Sequence, residues 1–595
     1  MSDTGDFELS RRTVLKTIAG ATVGVGAAAL GIPTSLAQEA QPPAGKDAAG
    51  KEEIEVIVAK PKALDDAVCQ YPGFSPGVQV IENGIRWERD VAVKMRDGVT
   101  IYVDIYRPEG SKLPAIIAYG KDKQPQEREI HGVPKHGGSE WGLVEVSKYA
   151  QFEGPDPLYW CKHGYAVVNT DYRGSWKSEG VAQLYGTQGG KDCHDLIEWL
   201  AARDWSNGKV SMSGNSQRAT WQWVTAAEQP PHLACIAPWE GWTDFYRQIL
   251  CPGGIPEVAI RGNMVKNWCG GEGVEDVVAM LHKYPLMNSY WEDKIARLDK
   301  IKVPAYITAN FKHWHLLGSL DAFRTIPVKN KWLRVINNQE WPDYYSLPQM
   351  EELRRFFDFY LKGEKNDWEL TPRVRLSVLD PGGLDEINRP ENEWPLARTR
   401  YEKLYLDASN GSLSRLPVKA ASQARYDAQT GQANFIIKFD KTTELTGYFK
   451  LRLWVEAEGA DDLDFFVYVQ KLDRQGEFLP SMILGHPHPG AQGWLRVSHR
   501  ELDAARSTPS EPYLTHRRLQ PLRAGEIVPV EIGIWPTGMV WRPGQQLRVV
   551  VAGHFMRDPT WFEPFHYETI SRGSCIIHAG GKYDSHLLVP SIPAA

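Results

Sequence analysis

Ser216 lies in Gly214-Asn215-Ser216-Gln217-Arg218, where a short apolar run ends and a helical pattern begins. A serine on a sharp turn from strand to helix lifts its hydroxyl clear of the strand. The turn also aims the next main-chain N–H at a developing oxyanion, which is the chemistry of acyl transfer. Such a turn is usually spelled G-x-S-x-G, and here the last position is Arg218. A small residue there lets the helix pack closely on neighbouring strands. Arg218 therefore marks either a site that makes room for it or a serine that no longer attacks. Its guanidinium is also suited to a bidentate pair with a substrate carboxylate.

A serine nucleophile needs an imidazole within hydrogen-bond reach and a carboxylate that fixes the ring's tautomer. Two later segments carry such groups: FKHWHLL holds His313 and His315, and NNQEWPDYY holds Glu340 and Asp343. Glu240, at the end of LACIAPWEG, is a further carboxylate. HPHPG at 486–490 reads as a turn, and His131, His136 and His163 lack helical ligand spacing, so no metal site and no cofactor are expected. Among the 22 tryptophans, Trp221, Trp239, Trp242, Trp268 and Trp314 read as core or as the lining of an aromatic pocket.

The elements that position these groups follow from the hydrophobic pattern. RWERDVAVKMRDGVTIYVDIYRPE alternates around Asp97-Gly98 and predicts a hairpin. PAIIAYG, YAVVNTDYRG, VSMSG, LACIAPWEG, VPAYITANF and WLRVINNQ are short apolar runs that predict buried parallel strands, separated by helical stretches such as 189–203 and 221–228. This alternation predicts an α/β fold with a doubly wound sheet. It breaks between Trp242 and Lys302, which reads as a helical cap, and an amphipathic helix at 351–364 closes the domain. After Pro372 short alternating strands predict an all-β jelly roll. The expected boundaries are 53–368 for the first domain, with its cap at about 242–302, and 369–595 for the second.

Residues 1–37 carry Arg11-Arg12, a Gly/Ala-rich apolar run and Thr34-Ser35-Leu36-Ala37, which predicts a twin-arginine export signal cleaved after Ala37. Residues 38–52 read as a disordered lead-in. A periplasmic or secreted protein is expected, with no membrane partner once the signal is removed. The net charge of -6 gives no nucleic-acid signature. Seven dispersed cysteines suit neither a zinc scaffold nor a dense disulfide network, and Cys251 with Cys269 is the bridge considered.

Taken in order, Tyr119-Gly120-Lys121, GYAVVNTDYRGSWKSEG, WSNGKVSMSGNS, IAPWEGWTDFYR and RPGQQLRVVVAG resemble the family of X-prolyl dipeptidyl peptidases, cocaine esterase and α-amino acid ester hydrolases across nearly all of the chain after residue 37. The resemblance implies an α/β-hydrolase domain with a cap, then a jelly roll. It implies Ser216 as nucleophile, with the Tyr119 hydroxyl and the Gln217 N–H as oxyanion donors. The family's aspartate and histidine do not carry over: His313 stands at or near the acid's place, and Glu340 and Asp343 stand where a histidine is expected. Base and acid are therefore expected to have exchanged loops, with His315 as base and Glu340 as its orienter. His313 and Glu240 are the alternatives, because His313 in the acid's place is expected to point away from Ser216. The expected function is an exported serine hydrolase acting on a small-molecule ester or amide, possible homodimers being allowed for. An X-prolyl-type peptidase and a non-hydrolytic binding protein are the competing readings.

Overall fold

The computed structural model describes residues 54–69, 71, 73–120, 146–483, 486–556 and 565–593. The expected export signal, the lead-in, Lys121, His131 and His136 lie outside the described residues.

The first eleven-stranded sheet contains β1 (Gly77–Val80), β2 (Arg86–Lys94), β3 (Thr100–Arg107), β4 (Leu113–Ala118), β5 (Ala166–Asp171), β6 (Ser206–Asn215), β7 (Leu233–Trp239), β8 (Ala305–Asn310), β9 (Lys331–Ile336), β10 (Val374–Val378) and β11 (Glu386–Glu391). Their spatial order is β11-β10-β9-β8-β7-β6-β4-β5-β3-β2-β1. β2 and β3 form the hairpin around Asp97-Gly98, with Lys94 opposite Thr100. From β5 to β10 adjacent strands run parallel. Every residue of β4, β5 and β8 is buried, as strands covered on both faces must be. The covering helices include α1 (Thr187–Ala201), α2 (Gln217–Ala227), α3 (Leu316–Thr325), α4 (Glu340–Tyr345) and α5 (Leu347–Phe357).

β10 and β11 follow the boundary expected at 368/369 and still add to the first sheet. Leu333 pairs with Val374 and Val374 with Glu391, so the first sheet runs on to Glu391. Strand character is local in sequence; the sheet a strand joins is decided by distant partners. The cap carries helices at Ala259–Lys266, Val277–Lys283 and Ser289–Glu292. It also carries a strand, Gly273–Glu275, that pairs with Val58–Ala59 and Val181–Ala182. Cys269 is bridged to Cys69, and Cys251 is a buried free thiol, so the pairing of Cys251 with Cys269 is corrected. The main chain decides it, since Lys62 N–H donates to Trp268 O and Gly270 N–H to Lys62 O, bringing the Cys69 segment to Cys269.

Beyond residue 400 the chain is all-β. The expected two-sheet jelly roll is instead one sheet closed on itself, because His586–Ile592 pairs with Arg400–Asp407 on one side and with the long strand Thr443–Glu458 on the other. Closure removes exposed strand edges. The barrel docks where the first sheet ends: Leu379 N–H donates to Gly538 O, Lys312 Nζ to Met482 O, and Trp314 packs edge-on to Phe565 at 4.7 Å.

Candidate active site

Five adjacent parallel strands deliver the chemistry-bearing residues at their C-terminal ends. β4 leads into Tyr119, β6 into Ser216, β7 into Glu240, β8 into His313 and His315, and β9 into Glu340. This is the edge of an open α/β sheet at which ligands bind.

Ser216 has φ 55 and ψ −118, a conformation that costs a non-glycine residue roughly 1–3 kcal/mol. The surroundings hold it there. Asn215 N–H donates to Glu153 O at 3.0 Å, Ser216 N–H to Trp239 O at 2.9 Å, and Thr220 N–H back to Ser216 O at 3.0 Å as α2 begins. Gly214 has φ 137, and a Cβ there would lie 2.7 Å from Glu153 O. Ser216 and Gln217 are partly exposed, while Gly214, Asn215 and Arg218 are buried. Gln217 is the first residue of α2, so its N–H is one of the donors that a helix leaves without an internal partner.

Arg218 is 1 % exposed and runs beneath Gly120, where a Cβ would sit 3.0 Å from the Arg218 Cζ. Room for the large residue in the elbow is thus made just past the end of the neighbouring strand. Its Nη1 lies 3.6 Å from Glu153 Oε2, and Trp341 Nε1 donates to Glu153 Oε1 at 3.1 Å. The guanidinium therefore already faces a carboxylate.

Tyr119 packs edge-on to Trp221 and stacks with Tyr172. Its hydroxyl is buried without a hydrogen-bond partner among the described residues. Burial, with Asp192 adding to it, pushes its pKa well above the usual value, so the hydroxyl keeps its proton and remains a donor.

On the other side of Ser216, His313 lies between two carboxylates. Glu240 is fully buried with φ 56, its N–H donating to Thr308 O at 3.0 Å, and its Oε2 is 2.8 Å from His313 Nδ1. His313 Nε2 is 3.5 Å from Glu340 Oε2. The His315 N–H also faces Nδ1, at 3.3 Å. One ring nitrogen cannot serve both: Nδ1 accepts from the His315 N–H in the neutral ring, and a proton on Nδ1, as in the imidazolium, faces Glu240 at the shorter distance. The turn closed by His313 N–H on Asn310 O directs this ring, which the sequence does not reveal.

His315, expected as base, is 2 % exposed, its ring 4.7 Å from Trp242 and 4.6 Å from His313. It makes no ion pair among the described residues. Burial, then His313 and Arg261, push its pKa well below the usual value, with the Glu240 main chain opposing them, so it stays neutral. Its ring nitrogens lack a well-formed hydrogen bond, even though that main chain lies close. Glu340, expected as orienter, approaches His313 instead. Asp343 is held by Arg334 and by Trp239 Nε1 and is structural. Trp221, Trp239, Trp242 and Trp268 are buried core, whereas Trp314 lines an aromatic cleft beside the site with Trp494, Trp535, Phe555, Phe565 and Tyr567. His486 and His488 form a short hairpin strand rather than a ligand set.

Residues 97–267 match the X-Pro dipeptidyl-peptidase (S15 family), and residues 366–588 match the X-Pro dipeptidyl-peptidase C-terminal non-catalytic domain. A CocE/NonD family hydrolase from Staphylococcus aureus is 34% identical, with 87% of this chain and 97% of that one covered at a TM-score of 0.82. The cocaine esterase of a Rhodococcus species is 23% identical over 84% of this chain and 98% of its own length. A putative Xaa-Pro dipeptidyl-peptidase of Bacillus anthracis is 23% identical over 54% of this chain and 58% of its own.

Proposed function

Because the chain belongs to the CocE/NonD family of hydrolases and is a serine hydrolase, we propose that it is an exported α/β-hydrolase that cleaves an ester or amide through Ser216, with His313 rather than His315 as the proton carrier. Ser216 Oγ attacks the substrate carbonyl as its proton passes to His313 Nε2, and Glu240 on Nδ1 stabilises the imidazolium. The tetrahedral oxyanion is met by the Tyr119 hydroxyl and the Gln217 N–H. Protonated His313 then gives its proton to the leaving alcohol or amine. Water repeats the sequence on the acyl-enzyme, and the carboxylic acid departs with Ser216 restored.

The observation that carries this reading is the 2.8 Å contact between Glu240 and His313 at the edge of the sheet that also holds the strained Ser216. The aromatic cleft around Trp314 favours a substrate with an apolar or aromatic group. The name of the Rhodococcus relative, matched over nearly its full length, favours esters over amides. Export is supported by the twin-arginine segment and by the Cys69–Cys269 bridge, which suits an oxidising compartment.

A fluorophosphonate probe tests the nucleophile: the wild type is expected to be labelled and Ser216→Ala to stay unlabelled. A folded wild type that resists the probe would refute the mechanism. Parallel assays on aryl acyl esters and Xaa-Pro anilides decide the leaving group, and faster turnover of the anilides would return the reading to a peptidase.

A further inference from the structure

His313, His315 and Glu340 place one donor atom each within 4.8 Å of one another, and all three side chains are buried. The His313 Nε2 to Glu340 Oε2 separation of 3.5 Å is long for a hydrogen bond. It is close to the donor-to-donor edge of a tetrahedral zinc site, which bonds of about 2.0–2.1 Å set at roughly 3.3–3.4 Å. Buried His315, whose ring nitrogens make no well-formed hydrogen bond, supplies a second imidazole from the same turn. Glu240 on His313 Nδ1 is the outer carboxylate that orients a metal-binding imidazole and raises its basicity. Two imidazoles and a carboxylate form a donor set of zinc type with a fourth position left open.

From this geometry we propose a divalent-metal site, of the class that takes Zn²⁺, formed by His313 Nε2, a ring nitrogen of His315 and a carboxylate oxygen of Glu340. Its occupation switches the hydrolase off. Binding stands on these three residues alone; the inhibition rests on His313 as the proton carrier proposed above, because a metal on Nε2 takes the lone pair that would accept the Ser216 proton. The metal and the proton exclude each other at one atom.

The experiment uses the full chain stripped of metal with a chelator and dialysed. Calorimetric titration with Zn²⁺ is expected to give one site per chain. Co²⁺ in its place is expected to give the intense visible absorption of tetrahedral coordination, and Zn²⁺ at saturation to slow fluorophosphonate labelling more than 10-fold, reversed by chelator. In His315→Asn the stoichiometric binding is lost with the circular dichroism unchanged, and labelling, whatever its rate, no longer responds to zinc. If that variant fails to fold, Glu340→Gln is read in its place.

Ser216→Ala separates this site from the catalytic reading, since it is expected to bind zinc as the wild type does while remaining unlabelled. An unlabelled wild type that still binds zinc in a His315-dependent way overturns the hydrolytic mechanism and leaves the site standing. Wild type that takes up no Zn²⁺ or Co²⁺, or that binds zinc no better than His315→Asn, overturns the site. Zinc bound at the site without slowing the labelling overturns the switch.

Discussion

Two pairs of buried histidines in ring contact occupy different regions and do different things. At the sheet edge, His313 and His315 have rings 4.6 Å apart, and at the junction of cap and barrel His499 and His516 have rings 5.1 Å apart. Around the first pair stand Glu240 and Glu340. Around the second stand arginines: burial and then Arg496 lower the pKa of His499 to about 3, while burial, His499 and Arg247 push that of His516 well below the usual value. Their Nδ1 atoms lie 2.9 Å apart, so one donates and the other accepts. A buried imidazole next to carboxylates can carry a charge during a reaction, whereas one next to guanidiniums is kept neutral and serves as a polar joint. Burial holds His315, His499 and His516 neutral, and the carboxylates beside His313 set that ring apart.

The largest effect expected from this contrast is at His313. His313→Asn should lower kcat on an aryl ester by about 100- to 10,000-fold with native circular dichroism. A loss under 10-fold would put His313 with the structural pair. Next comes the donor on the other side of Ser216: Tyr119→Phe should cost about 100- to 1,000-fold, mainly in kcat, because the hydroxyl acts on the oxyanion. A change confined to KM would reassign Tyr119 to substrate binding.

The smallest effect belongs to the junction pair. The unfolded His499 titrates near 6.5 and the folded one near 3, so the unfolded chain binds the extra proton. Its contribution is complete above pH 6.5 and falls away as pH drops from 6.5 toward 3. At pH 4.5 the loss is about 2–3 kcal/mol. In His499→Gln, urea unfolding at pH 7.5 and 4.5 should show that pH difference reduced by about this amount, with kcat within about 2-fold of wild type. An unaltered pH difference would mean that His499 is not held neutral by the fold.

The elbow was readable from the sequence because it is local: an apolar run, Gly214, Ser216 and a helical pattern follow within a dozen residues. The strands beside it announced themselves for the same reason. What the sequence did not disclose depends on partners far along the chain. Val374–Val378 is strand-like in any setting, and its pairing with Leu333 decides its sheet. Cys269 meets Cys69 across 200 residues, and the barrel closes through strands at its two ends. His313 and His315 are near-equivalent in FKHWHLL; a single turn gives one ring two carboxylates and seals the other against Trp242.

Arg218 shows what the elbow signature measures. A pattern search for a small residue two places after the serine passes over this chain, yet the missing volume is present, vacated at Gly120 just past the strand alongside. The requirement belongs to a region of space that two segments share, and either can leave it empty. Signatures written along one segment will therefore overlook relatives that have traded the bulk across, whereas a rule stated for the pair would find them.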